Sequence, residues 1–285
     1  MAVKEKFYIN LNYNHQIPND LQELKCKLKH FECGEFEFSI QEDITNKEIY
    51  IFQSFNVGHF NDDLLKLQII CDLLTRNNVA KIFYIAPFIP YTRQDKTYDT
   101  TSSLGSKVVA NIINNCNISE ITTYDLHASQ IEGFFRCKVN HLSMVPTFLQ
   151  DIKNNFDIKN IVIVFPDSGA ASRFKRFFVD EVFDIAIINK NRTEERMRMQ
   201  ILGDIKNKTA IIIDDMIDKG TTIAQACDLL LQNNANEVSV YATHGLFSAD
   251  AISIIENAKI TKVTVSDSLL NFYNSQKIFY SKINP

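Results

Sequence analysis

Two carboxylates stand side by side at Asp214 and Asp215, at the end of the apolar run KTAIIIDD, and the chain then turns through Asp218, Lys219 and Gly220 into Thr221 and Thr222. Adjacent carboxylates at a strand end can accept hydrogen bonds from vicinal hydroxyls. Hydroxyls and free backbone N–H groups at a helix start form a cup for a phosphate. Together they suit a sugar carrying a phosphate, whereas an acidic turn leading into a Thr-capped helix needs no ligand. A second loop, FPDSGAASR, also follows an apolar strand and opens a helix, so the N–H groups around Asp167, Ser168, Gly169 and Ala170 can form another anion nest. A third, PYTRQDK, offers Arg93, Gln94 and Lys96; a guanidinium has the forked donors that triphosphate oxygens accept, and a solvated polar loop is the plain alternative.

The elements that must position these loops alternate. Strand patterns cover Lys6–Leu11, Glu48–Ser54, Lys81–Phe88 and Glu120–Leu126, with helix patterns at Asp20–Lys29, Asn61–Asn78 and Leu104–Cys116. After a helical stretch at Val145–Phe156 the rhythm restarts with NIVIVFPD, the helix GAASRFKRFF, then FDIAIINK and KTAIIIDD. The helix Thr222–Gln232, EVSVYATHG, the helix Ala249–Ala258 and KVTVSDS complete it. Runs such as IVIVF and AIIID are apolar at successive positions, as strands covered on both faces require. The pattern predicts two tandem α/β domains, 1–143 and 144–285, each a mostly parallel sheet flanked by helices. Ligands in such sheets sit beyond the carboxyl ends of the strands, where the three loops fall.

Composition narrows the function classes. The chain has 285 residues, enough for two cores, with 45% apolar and 22% charged residues. A net charge of -4 gives no basic field for nucleic acid or an anionic membrane surface. The six cysteines form no CxxC pair, which leaves small thiols in a reducing compartment. The start MAVKEKFYINLNYN has no apolar signal core, and no segment approaches the run of about 18 apolar residues of a membrane span, so a cytoplasmic protein is expected.

The strand–DDMID–turn–helix string resembles the phosphoribosyl pyrophosphate loop of type I phosphoribosyltransferases and ribose-phosphate pyrophosphokinases. PYTRQDK, SKVVANII, DLHASQIEGFF, FPDSGAASR and THGLFS resemble, in order and spacing, segments of the pyrophosphokinases, and the resemblance spans about residues 31–268. It implies two type I phosphoribosyltransferase-like domains and transfer of the pyrophosphoryl group of ATP to ribose 5-phosphate. The first domain then handles ATP and oligomer contacts, and the second ribose 5-phosphate. His127 and Asp167 would hold Mg²⁺, Arg93 and Gln94 would meet ATP, and Asp167–Ala170 would receive the pyrophosphate. The segment INKNRTEERMRM resembles the family's H-K-x-R stretch, which makes Lys190 and Arg192 the cations at the departing charge. HFECGEFEF resembles a stretch that contacts adenine from a neighbouring subunit, which gives Phe31 and Glu35 an ATP role and implies a homo-oligomer, a dimer or hexamer. The chain departs from the family pattern at Cys33, Asp99, Ser172 and Lys219. Those departures keep open a catalytically silent relative that assembles with an active enzyme. A base-specific phosphoribosyltransferase would need only one such domain.

Overall fold

The apolar runs become the central strands of two sheets. The computed structural model describes residues 5–97, 99–192 and 197–283, with the side chains of 190–198 outside that description. It divides into a unit that ends at Leu142 and another spanning Ser143–Ile283.

The first unit contains β1 (Lys6–Leu11), β2 (Gln22–Glu23), β3 (Cys26–His30), β4 (Phe36–Ile40), β5 (Glu48–Gln53), α1 (Phe60–Arg76), β6 (Lys81–Ile85), α2 (Gly105–Asn114), β7 (Glu120–Tyr124) and β8 (Lys138–Leu142). Six of its strands form a sheet in the order β2-β1-β5-β6-β7-β8, with every pairing parallel. The steps β5 to β6 to β7 run in one direction across it, so right-handed crossovers place α1 and α2 on the same face. α1 buries Leu67, Ile70, Cys71 and Leu74, one stripe at helical spacing.

One expectation fails here. The segment Asp20–Lys29 is not a helix: it forms β2 and β3, and β3 pairs with β4 in a separate antiparallel hairpin. Leu21, Leu24 and Leu28 have helical spacing, yet only Leu24 is buried, and its N–H bonds to the Tyr8 carbonyl at 2.9 Å. Partners distant in sequence override the local pattern.

The second unit contains α3 (Val145–Asn155), β9 (Ile161–Phe165), α4 (Ser168–Phe174), β10 (Asp184–Arg192), β11 (Met197–Leu202), β12 (Thr209–Ile217), α5 (Thr221–Gln232), β13 (Glu237–Gly245), α6 (Ala251–Asn257), β14 (Lys262–Ser266) and β15 (Ile278–Ser281). The sheet order is β11-β10-β9-β12-β13-β14-β15, parallel except for the β10–β11 hairpin. The stretch read as the helix GAASRFKRFF is split, with α4 ending at Phe174 and a 3₁₀ turn over Lys175–Phe178. Val162, Val164, Ile212, Val240 and Val263 fill the core.

The topology positions the carboxylate pair. From β9 the chain goes to β10 on one side, whereas β12 lies on the other, so the sheet reverses its direction of winding between β9 and β12. Crevices open at such reversals, beyond the carboxyl ends of the strands. The β9–β12 register ends at Val164 and Ile212, whereas β12 stays paired with β13 as far as Ile217 and Gly245. Asp214 and Asp215 therefore lie on β12 just past its last pair with β9, where the β9 chain turns into α4.

Candidate active site

Arg173 on α4 reaches this overhang. One guanidinium nitrogen lies 2.7 Å from Asp215 Oδ1 and 3.3 Å from Asp214 Oδ1. Asp215 is buried and Asp214 is nearly so, with its side chain 13% exposed. Burial, then the neighbouring Asp215, pushes the Asp214 carboxyl well above the usual carboxylate range, and the guanidinium opposes this only in part. The pair is thus a compact acceptor site shared by one guanidinium.

The two helix starts beside this pair differ. Asp167 is the N-cap of α4, and its Oδ1 accepts from Ala170 N–H at 2.8 Å, so this nest is partly filled by the chain's own carboxylate. A Cβ at Gly169 would come within 3.1 Å of that oxygen and 3.2 Å of an Arg173 nitrogen, so a larger residue would press on both side chains. Gly220, the N-cap of α5, has φ 75° and no side chain, so no capping oxygen covers the first-turn N–H groups. Thr221 and Thr222 are exposed above them, as is Lys219. Asp218 is fixed from the next loop, where Ser248 donates its hydroxyl proton to Oδ1 and its N–H to the Asp218 carbonyl at 3.1 Å. The uncapped helix start follows the carboxylate pair by six residues, from Asp215 to Thr221. One loop thus offers hydroxyl acceptors and anion donors.

In the first unit the motif loops also leave carboxyl ends of strands. Arg93 and Lys96 follow β6, where the Asp95 carboxylate accepts from Gln130 at 2.8 Å. Gln94 turns inward: its Oε1 accepts from Ser103 at 3.2 Å and its carbonyl from Ser106 Oγ at 2.7 Å. A Cβ at Gly105 would come within 2.9 Å of the Gln94 side-chain carbon, so Gln94 packs on the start of α2. His127 is half-buried in the loop after β7. Phe31 and Glu35 close the β3–β4 hairpin, with Phe31 N–H on the Glu35 carbonyl at 2.8 Å and Lys29 Nζ 4.7 Å from the Phe31 ring centre. Asp99 folds its own loop by accepting from Thr101 N–H at 2.9 Å. Lys190 and Arg192 lie on the β10–β11 hairpin opposite Met199 and Met197, and their side chains lie outside the described residues.

Backbone conformation marks the same loops. Among the described non-glycine residues, positive φ occurs at Asn positions and at four others: Tyr91, Asp125, Phe247 and Ala249. Each of the four sits in a loop past the carboxyl end of β6, β7 or β13. Such conformations are costly outside Gly and Asn, and strain of this kind clusters at functional loops.

Sequence reading did not single out Arg173, although its place on α4, six residues after Asp167, lies inside a quoted motif. It also missed His141 and Glu132. His141 Nε2 accepts from Leu126 N–H at 2.9 Å and its Nδ1 meets Glu132 at 2.7 Å, which braces the turn that carries His127. No sequence signal linked them, because β8 was not recognised as a strand.

A doubled α/β sheet with a carboxylate pair and an open helix start at a winding reversal defines a protein of the type I phosphoribosyltransferase-like class. Residues 11–116 match the model for the N-terminal domain of ribose phosphate pyrophosphokinase, and residues 167–284 match the phosphoribosyl synthetase-associated domain. The ribose-phosphate pyrophosphokinase of Bacillus cereus is 36% identical over 86% of this chain and 78% of its own length. That of Bacillus caldolyticus is 34% identical over 91% of this chain and 84% of its own. The crystal structure of phosphoribosylpyrophosphate synthetase from Mycobacterium smegmatis superposes with a TM-score of 0.88 at 27% identity, covering 98% of this chain and 95% of that one. The chain belongs to the ribose-phosphate pyrophosphokinase family.

Proposed function

We propose that this ribose-phosphate pyrophosphokinase seats ribose 5-phosphate on residues 214–222 and transfers the pyrophosphoryl group of ATP to its anomeric hydroxyl, giving 5-phosphoribosyl 1-pyrophosphate and AMP. The uncapped start of α5, six residues after the carboxylate pair, carries this reading. Asp214 and Asp215 accept from the ring hydroxyls. The first-turn N–H groups and the hydroxyls of Thr221 and Thr222 take the 5-phosphate, and exposed Lys219 adds charge beside it. The anomeric hydroxyl attacks the β-phosphorus in line and AMP departs, so the protein's task is positioning and charge stabilisation.

Arg93 and Lys96 meet the triphosphate. Gln94 meets ATP through its amide N–H groups, while its Oε1 accepts from Ser103. Phe31 and Glu35 contact adenine from a neighbouring copy in a homo-oligomer, and Lys190 and Arg192 steady the departing charge. The pyrophosphate enters the nest at Asp167–Ala170, where it competes with Asp167 for the Ala170 N–H.

A carboxylate and an imidazole are donors that Mg²⁺ carried in on ATP would accept. Asp167 offers a hard oxygen and His127 an imidazole, and the described residues contain no cluster of three ligating side chains. The remaining positions fall to phosphate oxygens and water, which Mg²⁺ favours. When bound, the ion offsets negative charge on the phosphates. Purified protein given ATP, Mg²⁺ and ribose 5-phosphate should release AMP and phosphoribosyl pyrophosphate in equal amounts. Absence of both products over a wide range of substrate and phosphate concentration would reject this function in favour of a silent partner of an active enzyme.

A further inference from the structure

Two cysteines outside the proposed active site lie where the last turns of α1 meet the segment after α2. Cys71 lies on the buried stripe of α1 and Cys116 just beyond the end of α2, 1% and 2% exposed respectively. Both are free thiols, and Cys116 lines one cleft with Gln68, Asp72 and Thr75, the α1 residues on either side of Cys71. Cys116 donates to the Ile112 carbonyl, at 3.4 Å.

The pair is not sealed off. A cleft of about 470 Å³ lies between the last turns of α1 and the segment after α2, lined by Gln68, Ile69, Asp72, Arg76 and Cys116. Cys116 is therefore the sulfur that a small molecule reaches, and Cys71 lies behind it. The ionisation properties agree: the neighbouring Cys71 thiol holds the Cys116 thiol below its ordinary value, and the Cys71 thiol is raised.

We propose that Cys71 and Cys116 form an oxidation site that hydrogen peroxide, entering through this cleft, closes to a disulfide. The Cys116 thiolate sulfur attacks one peroxide oxygen, the O–O bond breaks, and the departing hydroxide takes a proton to leave as water. Cys116 is now a sulfenic acid. The Cys71 sulfur attacks it, the S–S bond forms as the S–O bond breaks, and the Cys71 proton leaves with the second water. Two sulfurs are oxidised by two electrons in all, and one peroxide is reduced to two waters. A bulky disulfide oxidant would not reach a sulfur so little exposed, which selects peroxide. The product ties the end of α2 to α1, the two helices that cover one face of the sheet.

The test uses the full chain with Cys33→Ser, which removes the exposed thiol. After peroxide treatment, denaturation and alkylation, non-reducing peptide mapping should show a Cys71–Cys116 cross-link, an intact mass lower by about 2 Da, and reversal by dithiothreitol. Cys71→Ser should halt at a Cys116 sulfenic acid that dimedone traps. Full alkylation of both cysteines in treated protein would overturn the proposal, as would Cys116 sulfinic acid without a cross-link. The map of the Cys71-containing protein decides the matter if Cys71→Ser fails to fold.

Discussion

Asp214, Asp215 and Arg173 share one small volume, and two negative charges there meet a single guanidinium. Because the folded protein raises the Asp214 pKa above its ordinary value of 3.8, ionising this group costs stability. The sign follows: below pH 3.8 the carboxyl is neutral folded or unfolded and no cost arises, and the cost grows as pH rises past that value. Asp214→Asn should therefore raise the thermal midpoint at pH 8 by about 2–4 °C, with the gain vanishing near pH 4. Calorimetry across that pH range checks it, and the same variant should bind ribose 5-phosphate more weakly because Asn is a poorer acceptor. Arg173→Met acts in the opposite direction. It strips the counter-charge from two carboxylates that water barely reaches, and urea unfolding at pH 7 should show a loss of about 3 kcal/mol. Asp215→Ala should leave folding cooperative and abolish turnover, and retained turnover would place the sugar elsewhere. The carboxylates were legible in the sequence because they interrupt an apolar run. Arg173 was not, because its meaning depends on α4 folding back over the end of β12.

The loop proposed to hold the sugar phosphate is stiffened by its neighbours. Gly220 takes a left-handed φ of 75°, and a Cβ there would stand 3.3 Å from the Ala251 carbonyl oxygen. Gly220→Ala should cost about 1–2 kcal/mol of stability and tilt the first N–H groups of α5 off the phosphate. Ser248→Ala removes the hydroxyl that bonds the Asp218 carboxylate, and loss of one charge-assisted hydrogen bond should raise KM for ribose 5-phosphate about tenfold while kcat stays within a few-fold. An unchanged KM would mean that Asp218 needs no such support. The central strands, α1, α2, α3 and α5 were readable because burial on both faces or along one stripe leaves a strong pattern. The β3–β4 hairpin, β8, β11 and β15 were not. They lie at or beyond the sheet edges and carry mixed sequences such as KVNHL and IFYS, where pairing partners rather than local pattern decide the structure. The turn at Gly34, with φ 93°, was the one local sign that Asp20–Lys29 runs into a hairpin.

At the scale of the whole molecule, the proposed function assigns the nucleotide and the sugar phosphate to different units, and takes Phe31 from another copy. The hairpin that carries Phe31 suits that role. Its ring is 39% exposed at a tight turn, and the strands behind it pair only with each other among the described residues. If neighbouring copies complete each other's sites, two dead variants should rescue one another. A Phe31→Ala chain keeps its sugar loop but offers no ring to its neighbour; an Asp215→Ala chain offers the ring but has no working sugar loop. In randomly mixed dimers a site needs an intact Asp215 from one chain and an intact Phe31 from the other, each present half the time. Unfolding and refolding the two variants together should thus restore about one quarter of wild-type activity, against almost none for either alone. The measurement is AMP release at equal total protein. Activity equal to the mean of the separate variants would show that each chain builds its adenine site from its own hairpin, and the oligomer would then have no part in catalysis.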